Sequence, residues 1–102
     1  MMRGGGRRKG PTMAMYVIER NYAERIEPHL GAFEDLNRVN DAEGVRWLYS
    51  FLSLDQRKTY CLYEAASAEV ILSAAALAGV PADRVVEVVG RVTPDGQLSP
   101  VV

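Results

Sequence analysis

Apolar residues gather in short runs along this chain, and polar or turn-forming residues separate the runs. Residues 15–22 (MYVIERNY) are rich in β-branched and aromatic side chains and predict a first strand. Between 28 and about 40, Leu30, Phe33, Leu36 and Val39 recur every third residue. That spacing drifts around a helical turn of about 3.6 residues, so it predicts a helix with a broad buried stripe. Pro28 suits its first turn, where the missing N–H costs nothing. Residues 45–54 (VRWLYSFLSL) and 58–65 (KTYCLYEA) flank the polar turn Asp55-Gln56-Arg57 and predict a β-hairpin. A turn centred on Gln56 sets Tyr49 opposite Tyr63, Phe51 opposite Cys61 and Leu48 opposite Glu64. One residue more or fewer in the loop shifts every pair. Ser67 reads as the N-cap of a second helix, with Glu69 placed well against the helix dipole. That helix runs through an alanine-rich stretch to Ala78, where Gly79 closes it and Pro81 prevents continuation. Residues 85–92 (VVEVVGRV) predict a last strand, ended by Pro94-Asp95-Gly96.

The order β-α-β-β-α-β places the chain in the α+β class. Right-handed crossovers fold it into a ferredoxin-like βαββαβ domain, a four-stranded antiparallel sheet with two helices on one face. The domain is expected over residues 13–94. Residues 1–12 (MMRGGGRRKGPT), with a run of three glycines, four basic residues and a proline, read as a flexible basic tail, and 95–102 as a C-terminal tail.

A sheet covered on one face should alternate apolar and polar residues. These strands do not. Val45, Trp47, Tyr49 and Phe51 share one parity, yet Leu48 and Leu52 occupy the other; Tyr60 and Leu62 are matched by Cys61 and Tyr63; Val86, Val88 and Val92 by Val85 and Val89. Both faces want cover, and two helices supply only one. A second copy of the chain against the open face is the simplest remedy, which predicts a homodimer of the dimeric α+β barrel kind.

Composition changes little in this picture. The 102 residues suit one domain, and 48% hydrophobic with 25% charged residues is an ordinary globular balance. A net charge of -1 argues against whole-surface attraction to nucleic acid or an anionic membrane. No apolar run is long enough to cross a bilayer. The one cysteine, Cys61, excludes an intrachain disulfide and favours a reducing, cytoplasmic address.

The chemistry on offer is sparse. Cys61 is the one soft ligand; a thiolate suits nickel, copper or zinc, and His29 with carboxylates from Glu19 or Glu64 could complete a metal site. Cysteine is also often a small buried hydrophobe, and His29 beside a proline suits a solvated position. Glu19 and Glu64 sit inside strands, either as functional carboxylates or paired with Arg20, Arg46 or Arg91. Trp47, Tyr49 and Tyr63, with Tyr16 and Tyr60, could line a small-molecule pocket beside Glu64, or simply pack a core or dimer face. No CxxC, HxxxH or HExxH spacing, nucleophile–base pair or phosphate-cradling glycine loop is present.

The run GVRWLYSFLSLDQRKTYCLYEAASAE (44–69), with YVIERNY before it and GVPADRVVEV (79–88) after it, resembles the family called domain of unknown function 4242. The resemblance covers about residues 15–94, and its motif carries Trp47, Ser50, Asp55, Lys58, Cys61, Glu64 and Ala65 in order. It implies a ferredoxin-like fold and a dimer, and, through a nickel-binding member, a metal. Three readings follow. The first is a small dimeric metal-binding protein, with nickel the favoured ion and no evident catalysis. The second is a ligand binder or cofactor-free monooxygenase-like enzyme using the cavity of a dimeric α+β barrel. The third is an interaction module without chemistry.

Overall fold

A computed structural model describes residues 13–29 and 31–101. The basic segment 1–12 and Leu30 of the expected helical stripe lie outside the described residues. Strand β1 (Ala14–Asn21) is followed by α1 (Glu34–Glu43), the hairpin β2 (Arg46–Leu52) and β3 (Lys58–Ala65), α2 (Ala68–Ala78) and β4 (Arg84–Val88). The sheet order is β2-β3-β1-β4, with every pairing antiparallel. This is the ferredoxin-like arrangement that the element order dictates.

Alternation along the strands assigns the faces. Tyr16, Ile18 and Arg20 of β1 stand opposite Tyr63, Cys61 and Thr59 of β3, and all six are buried on the helix-covered side. Ile71 and Ala74 of α2 pack against the same cluster, and Val39 of α1 closes it. Ser67 caps α2 as expected, its Oγ accepting the Val70 N–H at 3.3 Å. Gly79 ends that helix at φ +72°, a left-handed conformation that glycine adopts without a Cβ penalty.

Three expectations need correction. First, α1 starts at Glu34, not near Pro28. The hairpin loop holds the preceding segment away from helix geometry: Tyr22 and Ile26 donate their N–H groups to the Arg57 and Gln56 carbonyls, and the Gln56 side chain donates back to the Ile26 carbonyl. Acidic Glu34 and Asp35 then occupy the first turn, where the dipole favours them.

Second, the hairpin register differs. Tyr49 faces Leu62, Ser50 faces Cys61 and Phe51 faces Tyr60, and an irregularity between Trp47 and Tyr49 then sets Trp47 opposite Tyr63 and Arg46 opposite Glu64. The extra residue, Leu48, reverses side-chain parity at that point. Trp47 therefore points to the helix side, while Tyr49 and Phe51 point away from it.

Third, the last strand breaks after Val88. Arg91–Val92 pairs with Leu98–Ser99, so the segment expected as a tail forms a small ribbon. A Cβ at Gly90 would collide with the Ser99 carbonyl oxygen, so glycine is required where the ribbon closes.

Candidate functional site

The sequence-derived candidates divide between the two faces of the sheet. Cys61 lies on the helix side, buried, with its Sγ 3.5 Å from the Thr59 hydroxyl. Glu19, one residue beyond Ile18, points to the opposite face, where it accepts from Asn21 at 3.2 Å and pairs with Lys58 at 3.3 Å. His29 is exposed on the connection between β1 and α1. Cys61, His29 and Glu19 are thus not one site within a protomer. Among the described residues no three His, Cys, Asp or Glu side chains stand together as a metal-holding group.

The aromatic candidates divide likewise. Trp47 and Tyr63 stack on the helix side with ring centroids 6.1 Å apart. Tyr49 lies on the open face, and Glu64 pairs with Arg46 at 3.0 Å. Both strand glutamates are therefore ion-paired, although the partner of Glu19 is a lysine rather than an arginine.

The hydrogen bonds from Asn21 and then Lys58 hold the Glu19 carboxyl below its ordinary range. A depressed folded pKa contributes stability that is present above the unfolded carboxylate value and lost as pH falls through the folded one. Glu19→Gln should flatten that part of the acid unfolding profile while leaving the neutral-pH fold intact, as acid titration followed by circular dichroism would check.

The helix side also holds a cleft of about 190 Å³, bordered by the β1–α1 connection, α1 and the inner faces of β1, β2 and β3. Phe33 packs edge-on against Trp47 at 5.4 Å to form its apolar wall. Its polar floor is Arg20, Tyr22, Ser50, Thr59 and Cys61. Trp47 Nε1–H donates to Ser50 Oγ at 2.8 Å.

Arg20 is the unusual group. It is only 2% exposed, donates to the Pro81 carbonyl and to the Tyr63 hydroxyl, and lies with its guanidinium 5.5 Å from the Tyr63 ring centroid. Asn40 donates to the same hydroxyl at 3.3 Å. Burial raises the Tyr63 phenol above its ordinary value, against the pull of the guanidinium, so it stays neutral. Burial likewise raises Tyr22 against Arg20 and a Thr59 hydrogen bond. From sequence alone Arg20 is expected only as a partner for the strand glutamates. The available signal was its parity: Tyr16, Ile18 and Arg20 continue one buried face.

The open face carries Phe51 (68% exposed), Tyr49, Tyr60 and Val86, all substantially exposed. Leu62 on that face is covered, and a hollow of about 220 Å³ there is bordered by Gly90, Arg91 and Val101 of the C-terminal segment. No helix among the described residues is long and apolar enough to cross a membrane.

The solved structure titled "Crystal structure analysis of SCO4226 from Streptomyces coelicolor A3(2)" is similar to this chain, with a TM-score of 0.59 and 23% identity. The match covers 74% of this chain and 95% of that one, and it supports the ferredoxin-like fold. No curated protein matches. A family model described as "Nickel responsive protein SCO4226-like" matches residues 16–88, from the first strand to the end of the fourth. The chain therefore belongs to the SCO4226-like family of nickel responsive proteins.

Proposed function

We propose that this protein is a small, non-enzymatic nickel-binding protein that works as a homodimer through the open face of its sheet. The family match over residues 16–88 carries the nickel reading. The exposed Phe51, Tyr49, Tyr60 and Val86 support the assembly, because burying such a patch against its twin removes it from water.

A nickel ion does not fit the cleft that holds Cys61. Its thiol is buried in the same cleft as the Arg20 guanidinium, and a dication there would be repelled. The chain's one imidazole, His29, is exposed, and imidazole suits nickel. Since the described residues of one protomer gather no set of three His, Cys, Asp or Glu donors, the proposed site draws ligands from both protomers.

Calorimetric titration of nickel into untagged protein tests this reading. His29→Ala should lower the affinity at least about tenfold, whereas Cys61→Ser should leave it unchanged. Absence of nickel affinity in the parent protein, or a loss confined to Cys61→Ser, would contradict it.

A further inference from the structure

We infer that the helix-side cleft binds a small organic carboxylate, with the acid group seated on the Arg20 guanidinium and an apolar body against Trp47 and Phe33. The inference does not rest on the nickel reading.

The first support is the electrostatic state of Arg20. Arginine is almost never fully buried unless paired, because desolvating a charge without compensation is costly. Here the side chain is 2% exposed, and none of the ion pairs among the described residues includes it. The Pro81 carbonyl, the Tyr63 hydroxyl and the Tyr63 ring supply partial negative charge only. Its Nε–H is buried with no hydrogen-bond partner. A guanidinium cannot relieve this by losing its proton, so an anion is the missing partner.

The second support is that Arg20 borders a cleft whose other polar groups can donate. Ser50 Oγ already accepts the Trp47 N–H, which leaves its own hydroxyl proton free to donate. The Tyr22 and Thr59 hydroxyls border the same space. Among the described residues no carboxylate lines the cleft to repel an anion.

The third support fixes the class of anion. Phe33, Leu36, Trp47 and Leu52 make the cleft mostly apolar, and a fully hydrated inorganic oxyanion would gain nothing from them. A carboxylate matches the fork of a guanidinium, and an aliphatic or aromatic body matches the walls.

Trp47 is the chain's one tryptophan and lines the cleft, so its fluorescence reports occupancy. Cyclohexanecarboxylate, its neutral isostere cyclohexanecarboxamide and inorganic phosphate would each be titrated into the full chain at neutral pH. The acid should give a saturable change and bind at least about tenfold more tightly than the amide and than phosphate, the margin expected of a charge-assisted hydrogen bond. Arg20→Lys keeps the charge but lacks the Nε–H and the fork, and should weaken the acid about tenfold while leaving the amide unchanged. Should that variant not fold, the acid-to-amide ratio of the parent protein decides alone. Equal or absent binding of acid and amide, tighter binding of phosphate, or an Arg20→Lys variant that folds and binds the acid undiminished would overturn the inference.

Discussion

Phe51→Glu should turn the protein from a dimer into a monomer at micromolar concentration, with its helical and sheet content unchanged. Phe51 is 68% exposed on the open face, beside Tyr49 at a ring-centroid distance of 5.8 Å and across from Tyr60 on β3. Phe51 lies outside the buried core, so the fold should tolerate the change. A twofold assembly contains every substitution twice. Burying one phenylalanine contributes about 1.5–3 kcal/mol, so losing two copies removes roughly 3–6 kcal/mol. That corresponds to about a hundredfold to ten-thousandfold weaker association, before the cost of burying two carboxylates is counted. Light scattering across a concentration series would read the change as a halved mass. An unchanged mass would place the interface elsewhere.

The second large effect is expected at the centre of the core. Ile18 is fully buried, faces Cys61 on one side and Val85 on the other, and belongs to the cluster that receives Ile71. Ile18→Ala should destabilise the fold by about 2–5 kcal/mol, the transfer term plus an unfilled cavity. For a domain of this size that lowers the melting temperature by roughly 10–30 °C. Val17→Ala, one residue away on the open face, offers the internal comparison. Its cost should fall mainly on association, so it should be small at low protein concentration and grow to a limit as concentration rises. Paired melts at one low and one high concentration would separate the two behaviours.

The element order was legible because each element carries its own local signal. Ser67 and Gly79 mark the ends of α2, and the polar turn Asp55-Gln56-Arg57 marks the hairpin. Register was not legible, because the bulge at Leu48 has no sequence signature and a single extra residue reverses every parity before it. Trp47 and Tyr49, grouped together by strict alternation, therefore lie on opposite faces. The start of α1 was not legible, because Pro28 is equally at home outside a helix, and the bonds that tie Tyr22 and Ile26 down come from the hairpin loop, about 30 residues later in the chain. The candidate ligands were chosen by residue type, which carries no information about face. Glu19 and Cys61 are adjacent in register yet separated by the thickness of the sheet. The burial of Arg20 was not legible, because a charged residue ordinarily lies in solvent or an ion pair and this burial depends on Tyr63 and Pro81 arriving from distant parts of the chain.

Native mass spectrometry of the untagged protein equilibrated with nickel tests the proposed nickel binding and the proposed homodimer in one spectrum. The expected species has twice the 11.2 kDa chain mass and retains a whole number of nickel ions. A spectrum dominated by the single chain, or by a dimer that retains no nickel, would contradict the account.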